Sequence, residues 1–214
     1  MVLASILNGN LADIKSEIIK LETAGVDAIH YDVMDGIFVD NISFGLPVLS
    51  SLKPFTTLPI DVHLMIVDPI RFVERFAKSG ADMISFHIES DSDAKNTIEL
   101  IHSCGVKAGI AISPDTPIES LYPTLQYLKP DDFVLIMTVY PGLGGQSFIN
   151  DMVDKITALA KYRYENNLSF HIEVDGGIND KTGLLCKETG VDYLVSGSYI
   201  TGSDNPAKAV QSLK

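Results

Sequence analysis

Cysteine is scarce. The chain carries two, Cys104 and Cys186, both in segments of helical pattern and without metal-type spacing. They build no disulfide framework and no cysteine zinc site, and reduced, buried thiols in a cytoplasmic protein are the expectation. Basic clusters are lacking too. Sixteen Lys and Arg stand against 28 Asp and Glu, a formal charge of −12, and the densest basic stretch is Lys161-Tyr162-Arg163. A sequence-independent nucleic-acid binder needs a basic face, so nucleic acid is excluded as a partner, and an anionic membrane with it. No apolar run approaches the roughly 20 residues of a membrane-spanning helix. The opening Met1–Leu7 is apolar but short, with no basic residue before it and no small-residue cleavage pattern after it, so no signal peptide is expected. No Pro-, Gly- or Ser-rich linker divides the chain. Nor does a Gly-x-Gly-x-x-Gly turn follow the first apolar run, where Leu7-Asn8-Gly9-Asn10 stands instead, which weakens the case for an open dinucleotide-binding sheet.

What the chain does have is regular alternation. Short apolar runs at Val2–Leu7, Ala28–Met34, Leu58–Met65, Met83–His87, Val106–Ile112, Phe133–Thr138, Ser169–Asp175 and Tyr193–Ser196 read as strands. Between and after them, Leu11–Thr23, Pro47–Leu52, Pro69–Ser79, Ala94–Ser103, Ile118–Leu128, Phe148–Glu165, Lys181–Glu188 and Pro206–Leu213 read as helices. Gly25-Val26-Asp27, Gly80-Ala81-Asp82 and Gly190-Val191-Asp192 each close a helix and open a strand, a weak internal repeat. Eight strand–helix units of about 27 residues predict a closed, eight-stranded parallel (β/α)8 barrel spanning 1–214 as one α/β domain near the minimal size of that fold.

In such a barrel function sits at the C-terminal ends of the strands. In His30-Tyr31-Asp32-Val33-Met34 strand periodicity puts His30, Asp32 and Met34 on one face. Asp61-Val62-His63-Leu64-Met65 puts His63 and Met65 on one face, and His171–Gly177 ends a strand on Asp175. Polar groups buried without partners cost a few kcal/mol, so three strands carrying them at matching depth point to a site. His30, Asp32, His63 and Asp175 form an N2O2 donor set suited to one divalent transition metal, Zn, Fe, Mn or Co, rather than Mg or Ca. His102 and His171 read as structural. His87, followed by Ile88-Glu89, is open between packing and supporting the site. Asp35 points away from the polar face and reads as a loop residue shaping the turn at Gly36. Glycine-rich loops at Pro141–Gln146, Asp175–Gly177 and Ser196–Ser198 are candidates for cradling a phosphate on backbone N–H groups.

These stretches closely resemble the ribulose-phosphate 3-epimerase family. The resemblance is carried by Ser5-Ile6-Leu7, His30-x-Asp32-Val33-Met34-Asp35-Gly36, Asn41-Ile42-x-Phe44-Gly45, Asp61-Val62-His63-Leu64-Met65, Met137–Phe148, Glu173–Ile178 and Gly197-Ser198. It implies a barrel that interconverts ribulose 5-phosphate and xylulose 5-phosphate. Asp32 and Asp175 would act as acid and base, with a metal held by His30, Asp32, His63 and Asp175. Met34, Met65 and Met137 would cap an enediolate intermediate. Ser5, His63, Gly142, Leu143, Gly144, Gly145, Gly176, Gly177, Gly197 and Ser198 would touch substrate or phosphate. Association of copies into a homo-oligomer is a further implication. The chain departs from the family pattern at Ala4, Asp40, Ser113-Pro114-Asp115, Tyr140 and Leu143. The last two lie in the loop after the sixth strand, which keeps a hexulose 6-phosphate such as allulose 6-phosphate as an alternative substrate. A phosphate-binding barrel lyase or decarboxylase would carry a lysine where Asp61-Val62-His63 has none.

Overall fold

Alternation along each strand resolves into an inside and an outside. The computed structural model describes residues 1–214. Eight parallel strands close in chain order into a barrel: β1 (Val2–Ser5), β2 (Ala28–Met34), β3 (Ile60–Met65), β4 (Met83–His87), β5 (Lys107–Ile112), β6 (Phe133–Met137), β7 (His171–Asp175) and β8 (Tyr193–Ser196), with β8 returning to β1. The outward residues, such as Ile29, Tyr31 and Val33 of β2 and Val62 and Leu64 of β3, join a 44-residue apolar layer under the helices. The main apolar cluster inside the barrel has only ten residues, among them Leu3, Phe133, Leu135, Tyr193 and Val195. Most apolar burial is therefore outside the barrel, and the interior has room for polar chemistry.

The helices are α1 (Ile14–Ala24), α2 (Leu46–Leu52), α3 (Val73–Lys78), α4 (Ala94–Ser103), α5 (Met152–Glu165), α6 (Asp180–Glu188), α7 (Ser198–Thr201) and α8 (Pro206–Leu213). Several bounds differ from the sequence expectation for local reasons. The first strand stops at Ser5, whose hydroxyl accepts from the Leu7 N–H and starts a 3-10 turn over Ile6–Asn8. The helix expected from Leu11 begins at Ile14, where the Asp13 carboxylate caps the Ser16 N–H. Pro69–Ser79 divides at Phe72 into a 3-10 turn and α3. The long helix expected from Phe148 starts at Met152, because the Ile149 N–H is held by the Thr138 carbonyl. No α-helix forms over Ile118–Leu128. Two 3-10 turns, Ile118–Leu121 and Leu125–Tyr127, flank Pro123, a residue that lacks an N–H and would clash with the carbonyl one turn earlier. The short α7 has no counterpart in the periodicity.

The Gly-x-Asp repeat is a device of the barrel's N-terminal face. Gly25, Gly80 and Gly190 end their helices at positive φ. Asp27, Asp82 and Asp192 then accept an N–H at the start of the preceding strand, from Val2, Ile60 and Ile172 respectively. Asp35 holds the opposite end. Its carboxylate accepts from the Ile37, Phe38 and Val67 N–H groups, tying the turn after β2 to the segment after β3.

Candidate functional site

Register brings the polar residues to common depths. Along β2 and β3, His30 pairs with Asp61, Asp32 with His63 and Met34 with Met65. On the other side of the barrel Met137 pairs with Asp175. One ligand atom from each of His30, Asp32, His63 and Asp175 lies within 4.8 Å of all the others. His30 Nε2 stands 3.3 Å from Asp32 Oδ1 and 3.9 Å from Asp175 Oδ2, and His63 Nδ1 stands 3.3 Å from Asp32 Oδ1. Ser5 donates to the other Asp32 oxygen at 2.7 Å. His30 Nε2 is buried and has no hydrogen-bond partner of good geometry. An orphaned imidazole nitrogen aimed between two carboxylates fits a cation, and the donor set is the nitrogen–oxygen mixture that transition metals accept.

Below this set lies a second group. His30 Nδ1 is 2.6 Å from Asp61 Oδ2 and 3.7 Å from Glu173 Oε1, all fully buried. Asp61 and Glu173 share the inward face with His63 and Asp175, so the alternation that points to Asp32 also reaches them. Hydrogen bonding at Nδ1 orients the His30 ring and leaves Nε2 for the centre.

The charges follow from burial and neighbours. Burial pushes the His30 pKa down, but the Asp32 and Asp61 carboxylates outweigh it and hold it well above the ordinary histidine value. Burial pushes Asp32 up, and His30 and His63 outweigh it, holding the carboxyl well below the usual range. Burial together with the Asp32 and Asp61 charges raises Asp175 to about 7. Burial and Asp61 raise Glu173 well above the usual range. Without a cation the two aspartates facing the centre are thus set apart, one held ionised and the other drawn toward its neutral acid. A bound cation would favour the ionised form of both.

Above the centre opens a cavity of about 470 Å³. Its lining includes Ser5, Asp32, Met34, Met65, Met137, Asp175 and every glycine singled out in the loops after β6, β7 and β8, with Leu143 and Ser198. His30 and His63 have no exposed surface, so the cluster meets the cavity through Asp32 and Asp175. Met34 and Met65 pack with Leu7, Phe38 and Val39 at one wall, and Met137 belongs to the barrel interior. Gly176 and Gly177 adopt φ of +120° and +66°, and a Cβ on Gly177 would sit 2.4 Å from the Phe148 backbone nitrogen. The backbone N–H groups of Gly176, Gly177 and Gly197 have no acceptor in the protein. The loop after β6 is braced by Asn41 donating to the Gly142 carbonyl and Gln146 donating to Tyr140 and Leu143. Tyr140 donates to Asp115, joining two of the positions that depart from the family pattern. Asn8 also lines the mouth, where a Cβ on Gly144 would collide with its amide. Asn8, in the turn after β1, gave no signal as a site residue, and Asp115 showed only as a departure from the family pattern. His102 and His171 lie outside the cluster: His102 bonds Asp132, and His171 stacks on Tyr193.

Fold and site together define a (β/α)8-barrel enzyme with a buried acid–base and imidazole centre beneath a cavity rimmed by free backbone amides. Residues 1–201 match the Ribulose-phosphate 3 epimerase family. A ribulose-phosphate 3-epimerase from Bacillus subtilis (strain 168) is 42% identical over 215 residues, covering 100% of this chain and 97% of that protein. The chloroplastic ribulose-5-phosphate-3-epimerase of Arabidopsis thaliana is 43% identical, covering 100% of this chain and 76% of that one. The chain belongs to the ribulose-phosphate 3-epimerase family, isomerases acting on carbohydrates. Among solved structures, 3-keto-L-gulonate-6-phosphate decarboxylase from Vibrio cholerae O1 biovar El Tor superposes with a TM-score of 0.76 at 14% identity, covering 100% of this chain and 94% of that one, a likeness of fold alone. No helix is long and apolar enough to cross a membrane.

Proposed function

We propose that this chain interconverts D-ribulose 5-phosphate and D-xylulose 5-phosphate by moving the proton at C3, with Asp32 and Asp175 as the two proton-transfer groups. The observation that carries the reading is the placement of these carboxylates. They come from β2 and β7, strands separated by β1 and β8, and converge on one buried imidazole nitrogen at 3.3 and 3.9 Å. Inverting a carbon beside a carbonyl requires removal of a proton from one face and delivery to the other, so two groups flanking the substrate serve where one cannot. The free N–H groups of Gly176, Gly177 and Gly197 would take the phosphate, which suits a protein without a basic patch. Met34, Met65 and Met137 keep water from the carbanionic intermediate.

His30, Asp32, His63 and Asp175 would hold one divalent transition metal, Zn, Fe, Mn or Co, which would supply Lewis-acid stabilisation of developing negative charge on the substrate oxygens. The chain's own residues do the rest. Ser5 fixes Asp32 through its outer oxygen, and Asp175 lies at the cavity edge, where a bound cation would favour its ionised, proton-accepting form. A cytoplasmic location and self-association belong to the same proposal, the first resting on the two unpaired cysteines and the second on the family.

The test is purified protein with D-ribulose 5-phosphate in D2O. Xylulose 5-phosphate should appear with deuterium at C3. Asp175→Asn should fold and bind a divalent metal more weakly, with turnover reduced by at least about 10²-fold, the lower end of general acid–base contributions. Residual epimerisation within tenfold of the parent would remove Asp175 from the chemistry. Preference for a hexulose 6-phosphate over the pentulose would overturn the substrate reading.

A further inference from the structure

Behind His63 runs a line of groups that the epimerisation does not use. His63 Nε2 is 2.9 Å from His87 Nε2, and the two rings stack with centroids 5.0 Å apart. His87, fully buried at the end of β4, places its Nδ1 3.0 Å from Glu89 Oε2. The other carboxylate oxygen, Oε1, accepts from the Ser113 N–H at 2.8 Å. Lys155 donates to the Ser113, Pro114 and Thr116 carbonyls and so holds that loop against Glu89. The line is Asp32, His63, His87, Glu89, with a carboxylate at each end.

Three gaps separate these four groups. Both imidazoles have no exposed surface, where the neutral ring with a single hydrogen is the form that burial favours, and the 2.9 Å contact between their Nε2 atoms holds one hydrogen. Two neutral rings carry two protons, so one gap stays empty. The gap at Asp32 is 3.3 Å and that at Glu89 is 3.0 Å. The Asp32 oxygen that faces His63 also faces His30 Nε2 at 3.3 Å, so the shorter contact at Glu89 takes the proton. His87 then carries hydrogen on Nδ1 and accepts at Nε2, and His63 must carry hydrogen on Nε2. His63 Nδ1 is left as a bare lone pair facing the centre. The Ser113 hydroxyl, 3.3 Å from His87 Nδ1, is the longer contact and can turn its hydrogen elsewhere.

We infer that Glu89 and His87 are positioning residues that fix His63 in its Nε2–H tautomer, and so present Nδ1 to a divalent cation. The metal arm of this inference rests on the proposed metal site; the tautomer arm does not. Glu89→Gln separates them. The Ser113 N–H keeps the amide oxygen, so the amide NH2 must face His87 Nδ1, and the whole line reverses.

Long-range nitrogen–proton NMR of the metal-free protein reads the tautomers. The parent should show hydrogen on His63 Nε2 and His87 Nδ1, and Glu89→Gln the opposite pair. Titration with Zn2+ against a chromophoric chelator should then show Glu89→Gln binding about 10- to 100-fold more weakly, the usual effect of removing a group that orients a metal ligand. Glu89→Asp, which keeps the carboxylate, should recover part of the loss. Identical tautomers in parent and Glu89→Gln would overturn the inference, whatever the metal result. No Zn2+ binding by the parent, with the tautomers reversed in Glu89→Gln, would refute the metal site and leave the positioning role standing. Equal Zn2+ affinity in parent and Glu89→Gln, with tautomers reversed, would refute the link between tautomer and metal.

Discussion

Replacing Asp132 with alanine should weaken the fold and spare the chemistry, and the structure sets the size of the loss. Asp132 is 2% exposed and sits at the N-terminal face, just before β6. Its carboxylate accepts from the Ala108 N–H at 2.8 Å, the Lys129 N–H at 2.6 Å and His102 Nε2 at 2.7 Å. Ala108 is fully buried on β5, so its orphaned N–H carries the full penalty of about 1–3 kcal/mol. Lys129 is exposed and turns to water at little cost. Losing the bond to His102 adds roughly 1 kcal/mol. The sum is about 3 kcal/mol, against a typical total of about 5–15 kcal/mol. For a protein of this length that corresponds to a melting point lower by about 6–12 °C. Urea unfolding of the parent, Asp132→Ala and Asp132→Asn measures it. Asparagine can still accept from Ala108 and should lose about half as much. The kcat at 25 °C should stay within about twofold, because this end of a barrel supports stability and the other end carries the chemistry. A loss under about 0.5 kcal/mol, the size of an ordinary surface substitution, would refute the reasoning, as would a tenfold fall in kcat in the still-folded variant.

Three further outcomes follow from the same geometry. Exhaustive chelation should lower the melting point, since a metal at 100 times its Kd stabilises by about 2.7 kcal/mol, or about 5–10 °C for this length; an unchanged melting point would count against a resident metal. Ser5→Ala removes the 2.7 Å bond to Asp32, and a hydrogen bond to a charged group contributes about 1.5–3 kcal/mol; kcat/KM should fall roughly 10- to 100-fold, and an unchanged value in steady-state kinetics would show that Asp32 needs no such support. Burial pushes the Cys186 thiol up to about 12, so at pH 8 a thiol reagent should modify at most one cysteine in the native protein and both in denaturant. Rapid modification of Cys186 without unfolding would contradict its burial.

The barrel was legible because its two periodicities are strict. β2, β4, β8, α4 and α8 fall on the residues that alternation and capping indicate, and the Gly-x-Asp repeat marks where helices hand over to strands. Periodicity failed at a proline within the pattern and where contacts distant in sequence set the outcome. Ile118–Leu128 has helical spacing, but Pro123 stands in its middle. Gly105-Val106-Lys107 breaks the repeat, and Asp132, which plays the Asp role before β6 by accepting from Ala108 on β5, stands in no Gly-x-Asp triplet. No local reading could have supplied it. Within the site, the parity of β2 and β3 delivered His30, Asp32 and His63. The same parity reaches Asp61 and Glu173, which motif reading absorbs into the strand rather than the chemistry. Glu89 lay beyond any strand rule, since only the return of the chain at Ser113 shows what its carboxylate faces.

Charge explains why these groups can stay buried together. Asp32 is held ionised, Asp61 faces the His30 Nδ1 proton, Asp175 is shared between its two forms near neutral pH, and Glu173 is pushed toward its neutral acid. His30 is the one group in the set pushed toward positive charge. Its single charge, against up to three negative ones, leaves an excess that burial makes costly. A divalent cation between His30, Asp32, His63 and Asp175 would supply the opposite sign where the excess is greatest. It would displace the proton from His30 Nε2 rather than from Nδ1, because Asp61 retains the latter at 2.6 Å. The lower group is therefore more than packing: by keeping one proton on the far side of the ring, Asp61 leaves the near side to the metal. With Glu89 performing the corresponding task for His63, both imidazoles of the centre are aimed by carboxylates that lie outside it.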